Sequence, residues 1–272
     1  DYAADLDTAR GHGAIASNNS WGITDASSGG VATSNLDATE FQTFYDNNKS
    51  SYSLDQLAGF KFERGSLTAD QTSAFQQYIT ALDNFQASGV IVFANGNFVN
   101  DSDASFVASL PVWYNGGTDE LGNAVEDLSD AWLTVLYADF TGSDMINITE
   151  SEFTLKGNKC GKAREFCLTV DDHGVNATTW YNESTGENNY IVGGNGSSYG
   201  APMVSGGIAL LAQAFPNHTP EQLTDRVLAS ANNSWFTPVG NTTFTSHGNS
   251  ITHGYHDTWG HGLPDFRAAL SP

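Results

Sequence analysis

A serine at the start of an apolar helix is the feature of this sequence with the clearest chemical potential. Ser198 stands between glycines in the segment GSSYGAP, residues 196–202, and a run of small and apolar residues follows. Such a run predicts a buried helix, whose first turn offers unpaired backbone N–H groups and the positive end of the helix dipole. That position suits a nucleophile whose reaction develops negative charge on a neighbouring oxygen. A Gly/Ser turn that only caps a core helix is the alternative interpretation.

Two catalytic patterns fit this segment. One is G-x-S-x-G, which resembles the nucleophile elbow of α/β-hydrolases. The other is similar to the serine segment of subtilisin-like proteases, G-T-S-x-A-x-P followed by a long buried helix. In that comparison Ser197 replaces the usual Thr, Gly200 replaces the usual Ala, and Pro202 matches. The remainder of the chain has to decide between the two.

A second polar turn follows a strand–helix–strand pattern upstream. Residues 69–87 carry apolar side chains at helical spacing after a capping box that begins at Thr68, and residues 90–94 form a continuous apolar strand. Asn97 ends the turn that follows this strand. Ligands of open α/β sheets bind at the carboxyl ends of the strands, so this turn is a candidate site. Asn97 as an ordinary turn residue is the alternative.

The other elements favour an α/β fold with a parallel sheet flanked by helices. Further strands are expected over residues 14–18, 131–138, 166–170 and 190–192, and Thr219 caps a further helix. Residues 23–66, rich in Gly, Ser, Asp and Asn, read as a long surface excursion, and residues 240–258 read as a loop. We therefore expect a single domain over residues 1–272.

Charge and cysteine content limit the function classes. The chain has 31 acidic and 10 basic residues and a net charge of −21, so no basic patch for a nucleic acid can be assembled. No apolar run reaches the ~18 residues of a membrane span.

Cys160 and Cys167 are expected to form a disulfide in an oxidising compartment, with two free thiols as the alternative. We expect a secreted or cell-surface protein. Weak support comes from N-x-S/T sequons at Asn18, Asn48, Asn100, Asn147, Asn176, Asn182, Asn195, Asn217, Asn232 and Asn241.

Four segments in the right order resemble the subtilase family of serine proteases. They are NNSWG at residues 18–22, GVIVFANGN at 89–97, the serine segment, and WGHGLPDFRAAL at 259–270. The loop NKCGKAREFCL at 158–168 is most similar to subtilases of the bacterial autotransporter type. The resemblance implies that Ser198 attacks the scissile carbonyl and that Asn97 donates to the oxyanion. It also implies a set of substrate-binding residues, namely Ser20, Trp21, Gly22, Phe93, Ala94, Asn95 and Gly96.

The family's aspartate and histidine motifs do not occur in these 272 residues. The chain therefore resembles the C-terminal two-thirds of a subtilase catalytic domain, and we expect a companion N-terminal fragment to supply Asp and His. A peptide or protein is the expected substrate. No cofactor is required, although calcium is possible by resemblance. Asp101-x-Asp103-x-Ser105 begins like a calcium loop, but Val112 stands where such a loop has its Glu.

Two other functions stay open at this point. A catalytically silent module, derived from a subtilase and used for binding or surface structure, would explain the truncation. An esterase of the α/β-hydrolase type would use Ser198 with Asp225 or Asp257 as the acid and His261 as the base.

Overall fold

The computed structural model describes residues 2–23, 35–63, 69–143, 147–171, 174–246 and 249–271. Its centre is a five-stranded, mostly parallel sheet. The strands are β1 (Ala16–Asn19), β2 (Val90–Ala94), β3 (Trp132–Phe140), β4 (Phe153–Leu155) and β5 (Cys167–Asp171). β1, β2, β3 and β5 run parallel to their neighbours, and only β4 pairs antiparallel, with the end of β3. The sequence did not predict β4, which is three residues long.

Helices cover both faces of the sheet. They are α1 (Tyr2–Gly11), α2 (Ala38–Asn48), α3 (Leu54–Glu63), α4 (Ala69–Gln86), α5 (Ser197–Ala214), α6 (Pro220–Ser230) and α7 (Phe266–Ala269). Alternate residues of a strand point to opposite faces. Ile91 and Phe93 accordingly pack in the cluster that includes residues of α1 to α4, whereas Val90 and Val92 pack against α5 and α6. β2 is buried at every position, which explains its unbroken apolar sequence.

The region expected to be a surface excursion contributes to the core, so that interpretation is wrong for its described part. α2 begins at a capping box of Asp37 and Glu40 and buries Phe41 completely. α3 buries Leu57 in the same way. Aromatic and leucine side chains of these helices pack in the core, although the segment as a whole is rich in polar residues. Residues 24–34 and 64–66 of the expected excursion, and the expected cap Thr68, lie outside the described residues.

Two antiparallel hairpins flank the sheet. The first joins β6 (Val175–Asn182) to β7 (Glu187–Gly194), so the expected strand at 190–192 belongs to a hairpin rather than to the main sheet. The second joins β8 (Gly240–Ser246) to β9 (Asn249–Tyr255) and replaces the loop expected there. Thr243 and Thr252 face each other across this hairpin with hydroxyls 3.0 Å apart. Such polar cross-strand pairs stabilise a sheet. They leave no alternation of apolar and polar residues, which is the pattern that predicts a strand from sequence.

The cysteine pair closes a small third cluster beside β3 and β5. Cys160 and Cys167 are bonded, with their Cα atoms 5.9 Å apart, so the disulfide prediction is confirmed. Both cysteines are buried among aromatic side chains that include Trp235 and Trp259. The disulfide therefore closes the loop between Cys160 and the first residue of β5.

Candidate active site

Three turns meet at the carboxyl edge of the sheet. β1 and β2 are parallel neighbours, with Asn19 paired to Phe93. Parallel strands end at the same edge, so residues 20–22 and 95–97, which follow them, emerge side by side. The first turn of α5 packs against these two segments. The structure thus brings together two turns from the first hundred residues and a helix start about a hundred residues later.

Ser198 lies in the first turn of α5, whose N-cap is Gly196 with φ of 126°. Glycine tolerates this conformation, which turns the chain sharply into the helix. The Ser198 Oγ lies 3.4 Å from the carbonyl oxygen of Ser20, and the Ser20 hydroxyl donates to the Ser198 carbonyl at 3.0 Å. Ser198 is half-buried, so its hydroxyl is held at the surface of the edge rather than inside the core.

The Asn97 amide is oriented by the residue before Ser198. Its Oδ1 accepts from the Ser197 N–H at 2.8 Å and from the Ser197 hydroxyl at 2.9 Å. The Ser197 hydroxyl accepts in turn from the Gly96 N–H at 3.1 Å. With its oxygen occupied in this way, the Asn97 side chain is left with its Nδ2 donors, and the residue is exposed. The Ser198 N–H has no partner inside the helix because of its position in the first turn. The Asn97 amide and the Ser198 N–H therefore both lie at the start of α5, the helix that carries Ser198.

A buried amide supports the turn that carries Asn97, and the sequence analysis missed it. The Asn158 Oδ1 accepts from the Phe98 N–H at 2.9 Å and from the Asn35 Nδ2 at 3.2 Å. Its Nδ2 donates to the Asp101 carboxylate at 2.9 Å and to the Asp103 carbonyl at 3.0 Å. We call these four bonds the Asn158 hub. Burial raises the pKa of the Asp101 carboxyl above its usual value, and the hydrogen bonds from Asn35 and Asn158 reduce this rise. No local motif marks Asn158, because its partners lie up to 123 residues away in the chain.

Three of the residues expected to bind substrate have side chains that are buried in the core. Phe93 is fully buried and stacks on Trp132 at 5.0 Å, and Asn95 is fully buried with its Nδ2 on the carbonyls of Asn158 and Lys159. Ala94 is 4% exposed. Their side chains therefore do not line an open pocket in this structure. The buried position of β2 between two helical layers is the cause.

The remaining expected residues lie at the edge itself. Gly96 is half-buried and Gly22 is exposed. Trp21 is half-buried and stacks on Tyr2, with ring centroids 5.2 Å apart, and also packs against Phe93 at 5.5 Å. The Trp21 side chain is thus turned towards α1 and the core. Ser20 contacts Ser198 directly, and Gly22 lies next to Ser105 and Asn35.

The carboxylates of the expected calcium loop have protein partners. Asp101 accepts from the Asn35 N–H at 2.9 Å as well as from Asn158, and Asp103 accepts from the Lys162 N–H at 2.6 Å and from the Thr39 hydroxyl. Within the described ranges, no three His, Cys, Asp or Glu side chains are grouped to hold a metal ion. The calcium expectation is therefore not supported by these two residues.

The residues proposed for an esterase do not assemble around Ser198. The His261 ring is fully buried, and its two nitrogens contact the His253 ring and the Glu165 carbonyl. Asp257 pairs with Arg164 at 2.8 Å. Asp225 lies in α6, and burial, with the charges of Glu221 and Asp130, raises its pKa to about 6. The esterase interpretation is therefore wrong.

The chain matches one sequence family and resembles solved structures of the same fold. The sequence model described as the subtilase family matches residues 1–255. Among solved structures, the chain resembles the patellamide maturation protease PatA with a TM-score of 0.51 and 14% identity, covering 98% of this chain and 66% of that one. The prenylagaramide maturation protease PagA gives a TM-score of 0.50 and 14% identity, covering 98% and 65%. At this identity the likeness shows a shared fold. No curated protein matches the sequence.

Two further findings concern the length of the chain relative to similar structures and the character of its helices. The chain spans about two thirds of the length of PatA and PagA, at 66% and 65%. Among the helices of the described residues, none combines the length and the apolar character that crossing a bilayer demands.

Proposed function

Because this chain belongs to the subtilase family, we propose that it is the serine-bearing part of a subtilisin-like serine endopeptidase. It would hydrolyse peptide bonds through an acyl-enzyme at Ser198. The observation that carries this proposal is the Asn97 amide, held by the Ser197 N–H at 2.8 Å directly beside Ser198. An amide that only terminates a turn needs no partner in a helix start about a hundred residues away. Here the Oδ1 is occupied by Ser197 and the residue is exposed, so the Nδ2 stays available as a donor.

The reaction follows from these positions. The Ser198 Oγ attacks the scissile carbonyl carbon, and a histidine base takes the hydroxyl proton. The carbonyl oxygen becomes an oxyanion that accepts from the Asn97 Nδ2 and from the Ser198 N–H. When the tetrahedral intermediate collapses, the histidine returns its proton to the leaving amine. Water then attacks the ester carbonyl in the same way, with histidine as the base, and the acid product leaves Ser198. No step requires a metal or an organic cofactor, and calcium stays an expectation from the family resemblance alone.

The peptide substrate would add a strand to the sheet. β1 is an edge strand, since it pairs only with β2 among the described strands of the order β1-β2-β3-β4. Residues 20–22 continue from β1 past Ser198, and Gly22 is exposed there. An extended peptide that pairs with this segment passes its carbonyl groups over the Ser198 hydroxyl. Backbone pairing of this kind supplies affinity that depends little on the peptide's side chains.

The Asp and His of the catalytic triad would come from a segment outside these 272 residues. A companion N-terminal fragment, either joined to the chain or cleaved from it, would provide them. The proposed location is outside the cell or on its surface, which agrees with the bonded cysteines, the sequons and the net charge of −21. A silent binding module is the second candidate, because the contact described for the Ser198 Oγ is the carbonyl oxygen of Ser20 rather than a histidine.

A peptidase assay separates the two candidates. We would compare the 272-residue chain with a longer protein that includes its natural upstream sequence, on a library of fluorogenic peptides. The chain alone should be inactive, since breaking the triad costs about 10⁶ in kcat in subtilisin. The longer protein should cleave peptides, and Ser198→Ala should abolish cleavage. Ser205→Ala is the matched control, because its hydroxyl only bonds the Ala201 carbonyl within α5 and weakly contacts Asn18. Cleavage that survives Ser198→Ala, or no cleavage by the longer protein, would contradict the proposal.

A further inference from the structure

Two histidines form a buried pair at the base of the β8–β9 hairpin, on residues that the proposed reaction does not use. The Nδ1 atoms of His253 and His261 lie 2.9 Å apart. The His253 Nε2 lies 2.8 Å from the Ala231 carbonyl oxygen, and the His261 Nε2 lies 3.0 Å from the Glu165 carbonyl oxygen. All three are hydrogen-bond distances. The chain of contacts therefore runs from one carbonyl through two rings to another carbonyl.

The three contacts between the two carbonyls and the two rings each require one hydrogen. A backbone carbonyl only accepts, so each Nε2 must carry a hydrogen. The contact between the two Nδ1 atoms needs one more hydrogen, because two bare lone pairs at 2.9 Å would repel each other. Three contacts thus need three protons, whereas two neutral imidazoles carry only two. We propose that His253 and His261 form a proton-binding site, in which one extra proton is shared between the two Nδ1 atoms.

The surroundings place the charge on His253. His261 is fully buried, whereas His253 is half-buried. Burial, and secondarily the neighbouring His253 ring, lower the pKa of His261 to about 3, so this ring stays neutral and accepts. Burial lowers the pKa of His253 on balance, and the backbone hydrogen bonds at Ala231 and Gly254 oppose this shift. Its second donation, to His261, also forms only when the His253 ring is charged.

Other titratable and charged groups lie on the elements around the pair. The Tyr255 ring meets the His261 ring edge-on at 5.8 Å, and its hydroxyl donates to the Glu165 carboxylate at 3.4 Å. Arg164 lies over the far side of that tyrosine and pairs with Asp257 at 2.8 Å. Phe244 provides an apolar wall at 5.7 Å from His261. From α6, which ends just before Ala231, the charged residues are Glu221, Asp225 and Arg226. The Arg226 guanidinium bonds the carbonyls of Ala269 and Ser271.

A metal ion is a poorer occupant than a proton. Zinc holds nitrogen ligands at about 2.0–2.1 Å, so two ligands of one tetrahedral ion stand about 3.3 Å apart. The 2.9 Å separation is shorter than this, and the described residues offer no third ligand. A hydrogen bond between the two nitrogens matches the observed distance directly.

The site couples pH to the attachment of the hairpin. The pair joins β9 to the end of α6 and to the turn of helix before β5, through Ala231 and Glu165. In the unfolded chain both histidines titrate near pH 6.5, so the unfolded chain binds two protons below that pH and none above it. The folded pair binds one. Stability from this pair therefore rises with pH below about 6.5 and falls with pH above it. The limiting slope is about tenfold in the folding equilibrium per pH unit.

Nuclear magnetic resonance of the whole chain with ¹⁵N-labelled histidine tests the proton count. Two-bond ¹H–¹⁵N spectra distinguish protonated from bare ring nitrogens. At about pH 6.5 we expect three ring N–H protons on the pair, with one of them at the Nδ1 contact. Only two protons, with both rings neutral, would overturn the proposal. So would a change of the pair's signals on addition of zinc that chelation reverses.

Denaturant unfolding of variants tests the coupling to stability. The ratio of the folding equilibrium constants of the natural chain and His253→Gln should be constant below about pH 6.5, because each protein then binds one more proton unfolded than folded. Above about pH 6.5 this ratio should fall by up to tenfold per pH unit, because only the natural chain then releases a proton on unfolding. The control is His12→Gln, at an exposed histidine, which should show no such fall. A ratio that stays constant or rises above about pH 6.5 would contradict the shared proton. If His253→Gln does not fold, the proton count on the natural chain decides. The result is independent of peptidase activity.

Discussion

Replacement of Asn158 by alanine should destabilise the protein strongly, because the Asn158 hub has four bonds in a fully buried site. Three of the bonds join neutral groups, at about 1 kcal/mol each, and the bond to the Asp101 carboxylate is worth about 1.5–3 kcal/mol. Water entering the space left by the amide recovers part of this sum. We therefore expect Asn158→Ala to lower the free energy of unfolding by about 4 kcal/mol at neutral pH.

Urea unfolding followed by circular dichroism gives this difference, and Asn217→Ala is the control. Asn217 is exposed, so its replacement should change stability by no more than about 0.5 kcal/mol. The loss in Asn158→Ala should shrink in acid, because a protonated Asp101 carboxyl has less need of the missing donor. Amide exchange at Phe98 should also accelerate, since its N–H loses its acceptor. A loss below about 1 kcal/mol, equal to that of an ordinary surface change, would refute the role of the hub.

Two further predictions concern stability. Gly207→Ala should destabilise by about 2 kcal/mol, because its Cβ would lie 1.9 Å from the Phe266 ring. Gly206→Ala in the same helix meets nothing within 4 Å and should stabilise by about 0.5–1 kcal/mol, and thermal unfolding compares the two. If both variants lose stability equally, the contact is not the cause. Asp225→Asn should stabilise by about 1–2 kcal/mol at neutral pH, because burial raises the pKa of Asp225 to about 6 and disfavours its charged form. That gain should vanish as pH falls from about 6 to about 4, where the natural carboxyl is also neutral, and a gain that persists in acid unfolding series would contradict this cause.

Local sequence patterns were sufficient to predict the helices and strands that position the candidate site. Thr219 caps α6 as its hydroxyl and following proline predict, and the apolar run of β2 lies in the centre of the sheet. The turn at Asn97 and the start of α5 meet because parallel strands end at one edge. The order of the motifs also indicated the family, which the match over residues 1–255 shows.

Long-range packing was not accessible to the same reasoning. The Asn158 hub and the His253–His261 pair join residues with no common motif, so only the fold reveals them. The burial of the Phe93 and Asn95 side chains was not predicted either; Phe93 lies in β2 and Asn95 directly follows it, and helices cover both faces of this strand. The β8–β9 hairpin was missed since its threonine and serine pairs carry no apolar alternation.

The most direct test of the central claim, that Ser198 is the nucleophile of a subtilase site, is covalent labelling with a fluorophosphonate. The longer protein with its upstream sequence and the 272-residue chain would each be treated, and the adduct located by mass spectrometry of peptides. A serine without its base is a poor nucleophile at neutral pH. We therefore predict an adduct on Ser198 in the longer protein and none on the isolated chain. An adduct on another serine of the longer protein, no adduct at all, or labelling of Ser198 in the isolated chain would each contradict the account.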